Sequence, residues 1–114
     1  MFIKRCMMEY YKYLYLSEKL EKKKGRVVDR LERGKFQPGI HLVLLPRNER
    51  NQLEILNAAY LLQPDYPKAG LFVAGIAESY ENALEIVEKI SQEVYDNTGG
   101  MNIRSYILRK EQEG

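Results

Sequence analysis

The segment LFVAGIAESYENALEIVEKI, residues 71–90, decides the predicted fold. Residues 71–77 contain no charged side chain, which is typical of a strand covered on both faces. Ser79 follows and can cap a helix over about residues 80–97, because its hydroxyl can accept a hydrogen bond from a first-turn amide. That helix has apolar side chains at steps of three and four residues: Ala83, Val87, Ile90 and Val94. A buried strand that leads directly into an amphipathic helix is typical of α/β domains.

The rest of the chain predicts three more strands and two more helices. The strands are predicted over the tyrosine-rich residues 10–16, the apolar residues 40–45 and residues 102–108. The helices are predicted from a Ser17 cap to about Arg33 and over about residues 52–63, with Asn51 and Glu54 in a pattern related to the capping box. Helices between successive strands act as parallel crossovers. The prediction is therefore an α/β fold in the order β-α-β-α-β-α-β with a mostly parallel four-stranded sheet. The alternative is an α+β two-layer sandwich.

The length of 114 residues fits one domain. We expect residues 1–8 to be a loosely ordered extension, residues 9–110 to form the α/β domain and residues 111–114 to be a polar tail. If all three helices covered one face of the sheet, the other face would need a partner, most simply a second copy of the chain. A homodimer is predicted on that ground. A strand order that splits the helices between the two faces would remove the need.

Composition excludes several classes of protein. The net charge of +2 is too small to indicate a nucleic-acid or membrane partner by itself. The single Cys6 excludes an internal disulfide and favours a reducing, cytoplasmic location, and the single His41 excludes a site with several histidines. No metal and no cofactor are predicted. No stretch approaches the roughly 20 apolar residues that span a bilayer, so no membrane segment is predicted.

A candidate site follows from the predicted sheet. The carboxyl ends of parallel strands meet at one edge, and ligands favour the crevice there. The polar residues predicted at that edge are Ser17, Arg47, Asn48, Arg50, Asn51, Glu78 and Ser79. Helix N-termini expose amides that suit an anion, and Arg47 and Arg50 could bind a carboxylate or phosphate through two hydrogen bonds each. The competing interpretation is that these residues are helix caps and solvated loop positions.

Three functions remain open from the sequence. The leading hypothesis is a non-catalytic domain that binds a small ligand or another protein. The first alternative is an enzyme or an anion- or phosphate-binding domain that uses the strand-end loops. The second is a weak RNA-binding protein that uses the basic residues Lys22–Lys24 and the tyrosines of the first strand. Glutamates of the third helix offset the basic charge, which disfavours nucleic acid as a partner. No phosphate-binding glycine motif occurs, and the motifs do not resemble those of a particular family.

Overall fold

The computed structural model describes residues 8–46 and 52–113. Its regular elements are four strands, three α-helices and two 3₁₀ helices. In chain order they are β1 (Glu9–Leu16), a first 3₁₀ helix (Glu18–Lys23), α1 (Lys24–Glu32), β2 (His41–Leu45), β3 (Glu54–Asn57), a second 3₁₀ helix (Ala58–Leu62), β4 (Phe72–Ala77), α2 (Tyr80–Thr98) and α3 (Ile103–Gln112).

The four strands form one mixed sheet in the order β1-β4-β2-β3. β1 runs parallel to β4, whereas β2 runs antiparallel to both of its neighbours, β4 and β3. The prediction of a mostly parallel sheet was therefore wrong, since one pair alone is parallel. The carboxyl ends of β1 and β4 share an edge with the amino end of β2, because His41 pairs with Ala77.

Helices cover both faces of the sheet. α2 and α3 pack on one face, where Ile90 and Ile107 are fully buried. α1 and the two 3₁₀ helices pack on the other face, where Leu20, Val27 and Leu61 are buried. The sheet is thus the middle of three layers, unlike the two-layer alternative. Because neither face is left open, the sheet no longer supplies a reason for a homodimer.

The helix predicted over residues 52–63 is instead β3 followed by a 3₁₀ helix. Ile55 packs on the α2 face and Leu56 on the α1 face, which is the alternation of a strand. β3 forms an antiparallel pair with β2, in which Leu42 pairs with Leu56. Asn57 caps the 3₁₀ helix by accepting from Ala59 N–H at 2.9 Å. The polar and charged residues 47–51, which include the predicted cap Asn51, lie outside the described residues.

The strand predicted over residues 102–108 is the helix α3. Ile103, Tyr106 and Ile107 are its buried residues, at a spacing that one helix face provides and a strand does not. Asn102 caps the helix by accepting from Ser105 N–H at 3.1 Å. The side-chain oxygen of Gln52 accepts from Ile103 N–H at 2.8 Å. Sequence reasoning missed the helix because Ile103 and Ile107 also fit the alternation of a strand.

The first strand and the strand-helix unit at residues 71–98 are confirmed. Ser79 caps α2 by accepting from Asn82 N–H at 3.0 Å, and Gly99 ends it with φ +73°. The first predicted helix is a 3₁₀ helix that continues into α1, and Ser17 makes no side-chain cap. Met8, the first described residue, is already buried.

β1 forms an outer edge of the sheet, and α3 contacts that edge. Lys12 N–H, on β1, donates to the Glu111 carboxylate of α3 at 2.7 Å. The Lys12 and Lys110 ammonium groups lie 5.6 and 5.4 Å from the centre of the Tyr13 ring. The end of α3 thus occupies a backbone donor that an edge strand would otherwise offer to another chain.

β4 contains a bulge beside Gly75, where α2 and β1 pack closely against it. Val43 of β2 pairs with Gly75, but the next residue, Leu44, pairs with Val73, so β4 contains one extra residue there. A Cβ atom at Gly75 would lie 2.9 Å from Ile86 Cγ2 and 3.2 Å from the Tyr15 carbonyl oxygen. Glycine at this position therefore lets three elements meet.

We expect Gly75→Ala to lower the free energy of unfolding by about 1–3 kcal/mol, because the added methyl group would overpack this contact. Gly25→Ala is the control, since no atom lies within 4 Å of the added Cβ in α1. It should raise the stability by up to about 1 kcal/mol through helix propensity. Urea denaturation of both variants checks the prediction. Equal effects of the two substitutions would contradict close packing at Gly75.

Candidate functional site

A cleft of about 830 Å³ opens at the shared carboxyl edge of β1 and β4. The end of β1 and the first 3₁₀ helix form one wall, and the end of β4 and the first turns of α2 form the other. Its lining residues are Leu16, Ser17, Glu18, Lys19, Glu21, Glu78, Asn82, Glu85, Ile86 and Lys89. The parallel pairing of β1 with β4 creates this cleft, because it places two strand-to-helix connections side by side.

Ser17 is the buried polar residue of the cleft. It is 8% exposed, and its hydroxyl oxygen has no hydrogen-bond partner in the described part of the chain. Its backbone is held on both sides: Ser17 N–H donates to Ile76 O at 3.1 Å, and Leu20 N–H donates to Ser17 O at 2.9 Å. The backbone of Ser17 is therefore held in place at the edge of the cleft, and its hydroxyl oxygen is closed off from solvent. An unsatisfied buried hydroxyl costs about 1–3 kcal/mol.

Carboxylates outnumber ammonium groups around the cleft. Glu18 and Glu21 lie on the 3₁₀-helix wall, and Glu78 and Glu85 on the β4–α2 wall, whereas Lys19 and Lys89 are the lysines. None of the four carboxylates forms an ion pair or a side-chain hydrogen bond with another described residue. The described part of the cleft therefore presents an excess of uncompensated negative charge.

The structure brings together part of the predicted anion site. Ser17 and Glu78 line the cleft, and Ser79 lies beside Glu78 but uses its hydroxyl to cap α2. Arg47, Asn48, Arg50 and Asn51 lie outside the described residues. The reason for grouping them with Ser17 was wrong, because Leu45 at the carboxyl end of β2 pairs with Phe72 at the start of β4. An anion site composed of all seven residues stays a prediction.

The other polar residues that line the cleft are Glu18, Lys19, Glu21, Asn82, Glu85 and Lys89. The predicted anion site did not include Glu21, Glu85 or Lys89. The spacing of Asn82, Glu85 and Lys89 on α2 places them along one side of the helix. Many solvated helices show the same spacing. The site could therefore be identified only from the structure, in which the first 3₁₀ helix forms the opposite wall of the cleft.

Two other polar side chains with chemistry suited to catalysis, His41 and Ser79, are already engaged in hydrogen bonds. Nδ1 of His41 lies 2.6 Å from Gly39 O, which requires the ring to donate from Nδ1 and makes His41 a bonded structural residue. The Ser79 hydroxyl donates to Asn82 Oδ1 at 2.6 Å. The described residues thus show no hydrogen bond between a serine and the histidine, a pair that serine nucleophiles commonly use.

A second polar cluster joins β1, α2 and α3 in the core. The Glu93 carboxylate accepts from the Tyr15 hydroxyl at 2.6 Å and from the Tyr106 hydroxyl at 2.8 Å. Burial, together with the bond to Glu93, raises the pKa of Tyr106 to about 12 and raises the pKa of Tyr15 above its usual value. Burial also raises the pKa of Tyr11, whose ring lies 6.3 Å from that of Tyr15. This cluster fixes two helices to the edge strand.

Three further findings bear on the function. Within residues 8–46 and 52–113, no group of three or more acidic, histidine or cysteine side chains converges as a metal site. In the same part of the chain, no helix is both long and apolar enough to cross a bilayer. Comparisons with protein-family models, curated proteins and solved structures find no significant match.

We expect Ser17→Ala to raise the free energy of unfolding by about 1 kcal/mol in the absence of ligand, because it removes a buried hydroxyl without a partner. Ser79→Ala is the matched control. It should lower stability by about 1 kcal/mol, because Ser79 caps α2. Thermal and urea denaturation of both variants provide the measurement. A loss of stability in Ser17→Ala would show that the hydroxyl has a partner in solution.

We expect the stability to fall as the pH rises above 10 toward 12. The pKa of Tyr106 in the folded protein is about 12, so the unfolded chain ionises first and is favoured across this interval. Each tyrosine whose pKa is raised by folding can lower the free energy of unfolding by at most about 1.4 kcal/mol per pH unit. Tyr106→Phe should be less stable at neutral pH and depend less steeply on pH, whereas Tyr60→Phe, at an exposed position, should retain the wild-type slope. Denaturation series at several pH values test this, and identical slopes in all three proteins would refute it.

Proposed function

We propose that this protein is a small, non-catalytic ligand-binding domain whose site is the cleft between the first 3₁₀ helix and the start of α2. The observation that carries the proposal is Ser17, a buried hydroxyl without a described partner on a residue that lines the cleft. Buried polar groups in folded proteins are nearly always hydrogen-bonded, and a rotation of the Ser17 side chain toward the cleft would let a ligand supply the missing bond.

The dimensions and surroundings of the cleft support the same function. Its volume of about 830 Å³ falls within the roughly 300–1,000 Å³ typical of small-molecule sites. Backbone hydrogen bonds on both sides of Ser17 and the capped start of α2 hold the two walls in place. A site fixed in this way loses little conformational entropy when a ligand binds.

The alternatives have less support from the described residues. An enzyme is less favoured because Ser79 and His41 are engaged in structural hydrogen bonds. An anion-binding domain is less favoured because carboxylates outnumber lysines in the cleft and because Ser79 already caps the start of α2. For RNA, the tyrosines of β1 are used in packing: Tyr11 is 2% exposed, and Tyr15 bonds to Glu93. The basic residues Lys22–Lys24, at the end of the first 3₁₀ helix and the start of α1, remain the basis for the RNA alternative.

Location and assembly also stay proposals. The single cysteine supports a cytoplasmic location, as a reducing compartment is where unpaired thiols are common. A homodimer would now need a surface other than the faces of the sheet, because helices cover both of them.

The test is an NMR screen of the ¹⁵N-labelled full chain with three sets of fragments of matched size: amines, carboxylates and neutral amides. We expect at least one set to shift amide signals of residues 16–21 and 78–89, with the signals of β3 and α3 unchanged. The same fragments should shift these signals less in Ser17→Ala, because the hydroxyl that they bond to is gone.

Two results would overturn the proposal. One is the absence of saturable shifts at the cleft with all three sets of fragments. The other is a set of shifts scattered over the surface and unaltered by Ser17→Ala, since that pattern indicates nonspecific contact.

A further inference from the structure

We propose that β3 pairs with the β3 of a second copy of this chain and that the two copies form a symmetric dimer. β3 is the last strand in the order β1-β4-β2-β3, so its outer side has no neighbouring strand among residues 8–46 and 52–113. This surface is separate from the ligand cleft, because β2 lies between β3 and β4. The interface combines the outer side of β3 with an apolar stripe on α2.

The backbone of β3 specifies an extended strand as the partner. Directly after β3, Ala58 N–H donates to Ile40 O at 2.9 Å. Backbone groups alternate in direction along a strand, so Leu56 faces β2 as Ala58 does, whereas Ile55 and Asn57 face away from it. No hydrogen bond joins the N–H of Ile55 or Asn57 to a described residue outside the pairing of β3 with β2. Another strand would satisfy these outward groups.

Backbone hydrogen bonds to β3 are too few to hold a dimer alone. β3 has four residues, and an isolated pair of short strands is marginally stable in water. Its sequence lacks the lysine or proline by which edge strands often avoid pairing. At the opposite edge of the sheet, by contrast, the Glu111 carboxylate already occupies the Lys12 N–H. A dimer through β3 therefore needs apolar contact beside the strand.

An apolar stripe on α2 lies on the side of the helix that is next to β3. Its members are Tyr80, Leu84, Val87, Ser91 and Tyr95, at steps of three and four residues. Glu93, on the other side of α2, bonds to Tyr106 of α3, so α3 occupies that side. Val87 and Ile55 pack against the same core cluster, which places the middle of the stripe beside β3. Tyr80, Leu84 and Tyr95 are 51%, 42% and 55% exposed.

The symmetry of the stripe favours a second copy of the chain as its partner. Tyr80 and Leu84 lie as far before its centre as Tyr95 and Ser91 lie after it. Antiparallel packing of two copies of α2 would therefore set each Leu84 against Ser91 of the other copy. A groove of about 430 Å³ is present at that position, lined by Val87, Glu88, Ser91, Gln92, Tyr95 and Met101. A large side chain would thus meet a small one at a groove that can receive it.

The same two-fold axis suits β3. An antiparallel pair centred on Ile55 sets the outward N–H of each Ile55 against the Ile55 carbonyl of the other copy. Side chains of the α2 face then lie beside each other, and Ile55 adjoins the stripe. Glu54 faces Leu56 of the other copy, so no like charges are directly opposed within the strand pair. One axis therefore satisfies both the edge of β3 and the stripe on α2.

The experiment follows the mass and the hydrogen exchange of the full chain as its concentration rises. Sedimentation equilibrium should show a reversible shift from 13.4 kDa toward twice that mass between about 10 µM and about 1 mM. Amide exchange measured by ¹⁵N NMR should slow at Ile55 and Asn57 over the same range. Leu56 is the internal control, because its N–H faces β2 in the monomer and should change little.

Substitutions at exposed positions test the stripe without altering the core. Leu84→Glu should raise the Kd of the dimer at least about tenfold, because it removes apolar contact and adds a charge to the interface. Phe36→Glu is the matched control. Phe36 is 63% exposed and lies between α1 and β2, away from the stripe, so this variant should leave the Kd unchanged.

Three results would overturn the inference. The first is a mass of 13.4 kDa at every concentration. The second is a dimer that Leu84→Glu does not weaken or in which the Ile55 amide exchanges as fast as in the monomer, since that dimer uses another surface. The third is equal weakening by Leu84→Glu and Phe36→Glu, which would indicate a general effect of added charge.

Discussion

The placement of β4 between two strands and two helical layers is the constraint on which the rest of the structure depends. β4 bonds to β1 on one side and to β2 on the other, and its residues 73–77 are buried. Its backbone is therefore satisfied within the sheet, and its side chains anchor both cores. Because β1 runs parallel to it, the connections after both strands emerge at one edge and form the two walls of the cleft.

Sequence patterns predicted the parts of the fold in which a single periodicity dominates. Residues 71–98 combine an uninterrupted apolar strand, a serine cap and a long amphipathic helix, and each was placed correctly. Residues 53–62 and 102–108 were not, because short apolar stretches satisfy the spacing of a helix and of a strand together. Residues 54–57 form a strand that pairs with β2. Residues 103–112 form a helix that packs against α2. Such pairings are not visible in local sequence.

The residues of the candidate site were likewise predicted only in part. Ser17 and Glu78 were found because they follow strands, and that position is readable from the sequence. The roles of Glu21 and Glu85 were missed, since a glutamate on an exposed helix face is usually solvated. Strand direction matters most here, because the antiparallel β2 takes its carboxyl end away from the edge where β1 and β4 end. Direction depends on how the whole chain packs, which short-range patterns do not determine.

The contact between Lys12 and Glu111 links the last turn of α3 to the outer edge of the sheet. β1 contains four tyrosines and two leucines in eight residues, a composition that readily joins intermolecular sheets when its edge is open. The Glu111 carboxylate and the Lys12 ammonium group place charge at that edge, which disfavours pairing with another strand. The last turn of α3 therefore covers part of an edge that another strand could use, and a chain that ended before Glu111 would leave the Lys12 N–H open to pairing.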